Sequence, residues 1–577
     1  MNSARKIINK TNKFLLSLLT ALLITANIAA QKAEIRYNQI GYFPKGVKKA
    51  VVVNTGEKVF FVKTTRGETV FKGKLKKSGF WDKSGEEVKI ADFSTFTTQG
   101  KYVLYVKDAP STCPFEIKNN IYDDAFKASL KSYYLIRASM DIDEKYAGVY
   151  HRKEGHPDTL AYFHPSAQRG KGHASSPKGW YDAGDYNKYV VNGGVTVGTL
   201  LALADIYPEL VDDGFSNIPE SGNGVSDLLD EVKYELEWVL TMQTADGASN
   251  MKLTSKGFTG FILPEKDKTE RYFVGKATAP SLNFAAMMAM AARIYKDVDS
   301  DFSNKCLAAA ERAWAWAEKN PNVVYKNPKD VKTGEYGDAD FKEEFWWAAS
   351  ELYLASHKKQ YENYIASHEP YMEFNVGESW RVFLGNLGSF SLLISNNRLP
   401  DNLQSKLQKK LYKTADGLLK KLQSVPYRIP VDEFVWGSNS DIQNAAMMLA
   451  FAYKLSGDKK YLDGAVETMD YIFGKNATGY SFLTGFGCKR VKHVHNRISG
   501  ADNIDEPLPG LVAGGPNNNR EDDISKTKFG VEYPNKLPAK AYVDNQKSYA
   551  SNETAINWNA PAVFMLGFLE ANACKLQ

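Results

Sequence analysis

The hydrophobic periodicity of this chain changes once, near Asn119, and that change limits its fold more than any other feature. Between Glu34 and about Ile117 the apolar residues come in short β-branched or aromatic runs, at 50–53, 59–62, 88–90 and 102–106. Glycine and charged turns separate them, as in a small β-sandwich. After Asn119 the spacing becomes helical. The first such stretch is 125–139, followed by 190–206, 224–243, 280–296, 301–319, 341–356, 378–395, 401–423, 438–456, 459–473 and 553–572. Ten or more helices joined by glycine- and aromatic-rich loops predict a large all-α toroid, with function in its loops. The irregular stretch 476–552 is too long for a connection and is expected to wall a site. The division is therefore a leader over 1–30, a β-sandwich over 31–118 and a helical domain over 119–577.

The leader reads as a secretory signal. Arg5, Lys6, Lys10 and Lys13 precede an apolar run from Phe14 to Ile24, and Ala29-Ala30 offers a cleavage site before Gln31. That run is too short to span a membrane, and no later run is long and apolar enough. A secreted or periplasmic protein is expected. Without the leader the formal net charge of +6 falls to about +2. So balanced a charge argues against a polyanionic partner such as nucleic acid. Cys113, Cys306, Cys488 and Cys574 form no C-x-x-C pair, and four cysteines in 577 residues are not a disulfide framework. An isolated disulfide stays open in this compartment. Aromatic residues make up 12% of the chain, which serves large cores or an aromatic-lined groove equally.

The stretch Gly179-Trp180-Tyr181-Asp182-Ala183-Gly184-Asp185-Tyr186 carries the chemistry. Two carboxylates sit three residues apart, with Ala183 and Gly184 letting the backbone turn between them. Trp180, Tyr181 and Tyr186 offer flat amphipathic rings of the kind that stack on sugars. Carboxylates beside aromatics suit glycoside hydrolysis, in which one carboxylate activates water. On its own such a turn serves equally as a cap, a surface turn or a cation loop. A second carboxyl is expected at Glu553, at the start of the last helix, where Ser551 and Asn552 can cap it. On its own that glutamate reads as a first-turn acid favoured by the helix dipole.

Taken together, the motifs resemble those of the family nine glycoside hydrolases. Asp182-Ala183-Gly184-Asp185 is similar to the family's base motif. Tyr542, Asp544, Tyr549, Glu553, Ala555, Asn559 and Ala560 match the spaced signature around its acid. The run 481–487 followed by His493-Val494-His495-Asn496-Arg497 looks like its substrate-contacting loop. Trp436-Gly437-Ser438-Asn439-Ser440 and Gly514-Gly515-Pro516-Asn517 are also similar to family stretches, and Asn38-Gln39-Ile40-Gly41-Tyr42 resembles the opening of its immunoglobulin-like domain.

The resemblance implies an (α/α)6 barrel behind an immunoglobulin-like β-sandwich, and inverting hydrolysis of β-1,4-glucosidic bonds in cellulose-type or related plant β-glucans. It implies Asp185 as general base, Asp182 as a second holder of the water, and Glu553 as general acid. His495 and Arg497 would bind sugar hydroxyls, Tyr542 and Asp544 would support the acid's loop, and Trp347, Trp436 and Trp558 would be sugar platforms. For Trp347, in an apolar helix, core packing is the alternative. An inverting enzyme needs its two carboxyls about 6.5–9.5 Å apart, a base that stays ionised and an acid that stays protonated. An exo-acting glucosidase or cellobiohydrolase on the same scaffold is the alternative function, and a catalytically dead glucan-binding protein is another. No cofactor is required. Zinc is not expected, because His151, His156, His164 and His173 have no cysteine near them. Calcium is left open, with Asp522-Asp523 or the alternating Asp297, Asp299 and Asp301 as oxygen donors or as solvated loops.

Overall fold

A computed structural model describes residues 32–576 apart from 378–379, 396–398 and 529. The expected leader lies outside the described residues.

The N-terminal strands are Glu34–Arg36, Gly41–Tyr42, Lys49–Val53, Val59–Thr64, Thr69–Trp81, Glu86–Asp92, Gly100–Tyr105 and Phe115–Ile117. The long strand Thr69–Trp81 joins two layers. Its first half pairs with Val59–Thr64 and its second half with Glu86–Asp92. The run Lys49–Val53 is apolar on both faces for a reason visible in its alternation. Ala50 and Val52 point into the sandwich with Phe60, Leu104 and Phe115. Val51 and Val53 point the other way, into the core shared with the helical domain.

In the helical domain six helices among the described residues form an inner ring: Val190–Ile206, Thr278–Ile294, Lys342–Ser356, Leu384–Ile394, Ser438–Ser456 and Ile556–Ala571. Each packs on the next, and the last closes on the first. Between them in sequence run outer helices, Asp123–Leu135, Asp227–Thr241, Ser300–Lys319, Lys359–His368, Asp401–Ser424 and Lys459–Ile472. The two sets differ as their positions demand. Thr278 to Ala292 is buried without a break, whereas Asp401–Ser424 buries only a stripe containing Leu403, Leu407, Leu411, Ala415, Leu418 and Leu422. Gly198 is needed inside the ring because a Cβ there would lie 2.6 Å from the Trp347 indole. That close fit offsets the roughly 1 kcal/mol that an interior helical glycine costs.

This is the (α/α)6 arrangement behind a β-sandwich that the resemblance implies. Three details differ from the sequence reading. The helix expected over 378–395 is Leu384–Ile394, and Lys359–His368 is an additional helix. A five-stranded sheet, Ala161–Phe163, His173–Ala174, Lys188–Tyr189, Asn250–Thr254 and Tyr272–Lys276, lies among the loops. Strands of two to five residues leave little periodic signal. Among the described residues no helix is long and apolar enough to cross a membrane.

The segment Asn38–Tyr42 joins the two parts. Asn38 Nδ2 donates to Tyr122 Oη and to Asp470 Oδ1, each at 2.8 Å. Gln39 donates to Gly479 O and accepts from Lys489 N. A disulfide between Cys113 and Cys488, 375 residues apart in sequence, ties the sandwich to the long irregular stretch.

Candidate active site

The loop carrying Asp182 and Asp185 runs directly into the strand Lys188–Tyr189 and then the first inner helix. Asp182 is buried and has both carboxylate oxygens occupied. Asn192 Nδ2 lies 3.0 Å from Oδ1 and 3.1 Å from Oδ2, and Tyr336 Oη donates to Oδ2 at 2.9 Å. Asp185 differs. Its described bonds, from Asn187 Nδ2 and from Tyr189 Oη at 3.2 Å, both end on Oδ2.

Burial, followed by the Asp185 charge, pushes the Asp182 carboxyl up to about 8, against the donors from Asn192 and Tyr336. Lys252 lies on the neighbouring strand, where burial draws its amine down to about 7 and the Asp185 charge opposes this. Its Nζ is 2.8 Å from Asn327 Oδ1 and 2.6 Å from Gly334 O, which fixes the loop that presents Tyr336.

Glu553 is not a first-turn helix residue. It is extended (φ −71°, ψ 153°) between the short helix Tyr549–Asn552 and the helix beginning at Ile556, and neither Ser551 nor Asn552 caps that helix. Its backbone lies between two partner strands: His495 bridges it on one side, and Gly514 N donates to Glu553 O at 2.8 Å on the other. Its carboxyl receives Gly184 N–H at 3.2 Å. Gly184 therefore serves a close approach rather than an unusual φ: a Cβ there would overlap His495 O and sit 3.0 Å from Glu553 Oε1. Although part of Glu553 is open to the cleft, burial holds its carboxyl well above the ordinary range. The Asp185 charge adds to this, and the Arg497 charge and Gly184 N–H oppose it.

His495 Nδ1 is 2.7 Å from Gln546 O. A carbonyl only accepts, so Nδ1 carries the proton and Nε2 is left with its lone pair. Burial, helped by the Arg497 charge, lowers the ring to about 4. It is therefore a neutral acceptor suited to a sugar hydroxyl. Arg497 is buried, bonds Gly184 O and Thr259 O, and lies over the rings of Phe258 and Phe261. Phe258 and Trp436 are both exposed, and Trp436 stands 5.4 Å from the Tyr549 ring. Trp558 is partly exposed and packs against Gly437 and Gly514.

Several expectations are corrected here. Trp347 is fully buried in the inner ring and is core, not a platform. Trp180, Tyr181 and Tyr186 are also buried. Trp180 is held by Glu231 and Glu235, Tyr181 meets His156, and Tyr186 donates to Ile262 O. Tyr542 is buried and bonds the Asn552 side chain, while Asp544 accepts from Lys492 N, His493 N and Asn552 Nδ2. Both bond Asn552, next to Glu553, which agrees with a supporting place at that loop.

Three of the five calcium candidates have protein partners. Asp299 caps the helix Ser300–Lys319 and pairs with Lys233, Asp522 accepts from Tyr533 and Ala550, and Asp523 accepts from Ser525. Among the described residues no group of three or more His, Cys, Asp or Glu converges as a metal site. No step is routed through calcium. Asn187, Asn192, Tyr189 and Tyr336 were not singled out from sequence. Asn187, Tyr189 and Asn192 follow the aspartates closely, and that nearness is the only signal that could have found them.

Residues 30–111 match the family model described as "Cellulase N-terminal ig-like domain", and residues 122–566 match "Glycosyl hydrolase family 9". The chain is 40% identical over 570 residues to a xyloglucan-specific endo-beta-1,4-glucanase of Bacteroides ovatus, covering 93% of this chain and 94% of that one. It is 35% identical over 555 residues to endoglucanase D of Acetivibrio thermocellus, covering 94% and 81%. A solved Bacteroides ovatus structure of the same family superposes with a TM-score of 0.86 at 39% identity, over 93% of this chain and 99% of that one. With both models matched in order and these identities sustained along nearly all of its length, the chain belongs to glycosyl hydrolase family 9.

Proposed function

We propose that this enzyme is an endo-β-1,4-glucanase that cleaves cellulose-type or related plant β-glucans with inversion. The observation that carries the reading is the asymmetry of the three carboxyls. Asp182 has both oxygens held, Asp185 has one oxygen without a protein donor among the described residues, and Glu553 meets the loop between them through Gly184 N–H. Asp185 removes a proton from a water held with the help of Asp182. That water attacks the anomeric carbon from the face opposite the leaving group. Glu553, kept protonated by its surroundings, gives its proton to the departing glycosidic oxygen. His495 Nε2, the exposed ring of Trp436 and the partly exposed ring of Trp558 orient the sugars. The chemistry asks for side chains and water and for no cofactor.

The named activities of the two relatives support endo cleavage, and the Bacteroides ovatus relative makes branched xyloglucan the first substrate to try beside cellulose and mixed-linkage glucan. The basic and apolar leader supports export, and so does the Cys113–Cys488 disulfide, which belongs to an oxidising compartment.

Proton NMR in the first minutes of hydrolysis is expected to show the α-anomer as first product. Viscosity should fall sharply while few reducing ends appear. An initial β-anomer would overturn inversion, and steady glucose or cellobiose release without the viscosity drop would replace endo by exo cleavage.

A further inference from the structure

Asp185 does not present two equivalent oxygens. Asn187 Nδ2 and Tyr189 Oη both bond Oδ2, and no described residue donates to Oδ1. What makes this more than a pair of contacts is that neither donor can turn round.

The amide of Asn187 is oriented from its other end. Its Oδ1 accepts Ser255 N–H at 3.0 Å, and the Arg271 guanidinium lies at 3.5 Å, both groups that can only donate. The Thr254 hydroxyl adds a further contact at 2.8 Å. Flipping the amide would set N–H against N–H at Ser255 and a carbonyl oxygen against the Asp185 carboxylate, two unfavourable pairs in a buried place. Tyr189 is oriented in the same way. Gly334 N–H donates to its oxygen at 3.1 Å and the Thr333 hydroxyl also bonds it, while the phenolic hydrogen goes to Asp185 Oδ2. The strand Asn250–Thr254 and the loop carrying Thr333 and Gly334 thus fix both hydrogens on one oxygen.

We propose that Asn187 and Tyr189 are positioning residues that occupy Oδ2 of Asp185 and thereby reserve Oδ1 as the atom that takes the proton from the attacking water. The inference rests on Asp185 being the base. A carboxylate with no fixed donors would rotate and offer either oxygen, and its ionised form would lose two hydrogen bonds. Both losses bear on the proton transfer and not on sugar binding. The other charged or titratable groups that face Asp185 are Asp182 from its own loop, Glu553 from the acid segment, Lys252 from the strand and the phenol of Tyr336. All of them remain in the variants below.

The test uses the full chain and a soluble β-1,4-glucan, with initial rates measured from pH 4 to pH 9 for wild type, Asn187→Ala, Tyr189→Phe and Asp185→Ala. Asn187→Ala should lower kcat/KM by roughly 10–100-fold, the worth of a hydrogen bond to a charged group. The acid limb of its pH profile, which reports ionisation of the base, should move up by about one pH unit. KM should stay within about twofold, because substrate binding is not what is lost. Tyr189→Phe should shift the limb in the same direction by less. A lowered rate with an unmoved acid limb would mean a merely structural role and overturn the proposal, as would a wild-type rate. Thermal melts identify a variant that fails to fold; if Asn187→Ala does, the limb of Tyr189→Phe decides. Asp185→Ala separates the two levels. If it is inactive while the other variants behave as wild type, only this inference falls. If it stays active, the base assignment falls and this inference with it.

Discussion

Asp182 and Asp185 are gripped by side chains, whereas Glu553 is gripped through its backbone. On the first side, the Asn192 amide, the Asn187 amide and two phenols converge on the carboxylate oxygens. On the other, the peptide groups of His495 and Gly514 hold the strand-like segment on both sides, and the carboxyl itself receives a single described hydrogen bond, from Gly184. On the proposed roles, with Asp185 as base and Glu553 as acid, the contrast follows the chemistry each side must do. A base that directs one water needs its lone pairs aimed, so its oxygens are fixed. An acid that surrenders a proton needs a neutral carboxyl, and burial beside Asp185 supplies that without a cage of donors. Donors around Glu553 would stabilise its anion and lower its readiness to stay protonated.

The largest effect should come from deleting each function outright. Glu553→Gln and Asp185→Ala should each lower hydrolysis of natural glucans by roughly 10²–10⁴-fold or more. They should part on a substrate with a good leaving group, such as a nitrophenyl cellobioside. Glu553→Gln should recover part of its rate there because less protonation is needed, while Asp185→Ala should recover none. Equal behaviour of the two on that substrate would erase the division of labour.

A smaller loss is expected where the two sides touch. In Gly184→Ala the new methyl meets His495 O and Glu553. The acid segment must then move away from the base loop. Displacements of this size cost about 10²-fold in rate, so kcat/KM should drop by up to that amount while the melting temperature changes little. A near-wild-type rate would mean that the acid segment adapts freely, against its two-sided backbone support.

The last effect concerns stability rather than rate and has a definite sign. The folded-state pKa of Asp182 is raised, to about 8. The folded protein therefore keeps a proton that the unfolded chain has shed. That contribution to stability is full below about pH 4, the unfolded value, and is lost as pH rises to the folded one. Asp182→Asn has no such loss. Its melting temperature relative to wild type should rise between pH 4 and pH 8, whatever constant offset the substitution brings. A difference that stays flat across that range would show that Asp182 ionises in the fold as readily as out of it.

The sequence led to the large elements because they are periodic. Helical spacing was legible in both rings, and Val190–Ile206 and Ser438–Ser456 fall where it places them. The spaced motifs led to the carboxyls, and Asp182, Asp185 and Glu553 do meet around Gly184. Orientation was the weak point. Trp180, Tyr181 and Tyr186 neighbour the aspartates in sequence, yet a chain that turns sharply sends adjacent side chains in different directions, and these three go into the core. Trp347 likewise faces Gly198 across the ring. Glu553 looked helical because a helix follows it, whereas long-range backbone pairing with His495 and Gly514 sets its conformation. Tyr336 comes from a stretch with no regular period, 154 residues after Asp182, and only the folded chain brings its hydroxyl to that carboxylate.

The last inner helix, Ile556–Ala571, packs against the first, Val190–Ile206, and so closes the ring. Ile556 N–H donates to Asp182 O at 2.8 Å, three residues after the acid. This helix therefore both closes the ring and continues directly from the segment that carries Glu553. Removing it would take away the contacts that close the ring on Val190–Ile206 and the Ile556 N–H that holds Asp182 O. On the proposed roles, the helix that completes the core would also complete the catalytic loops, so closure of the ring and assembly of the site would be one event.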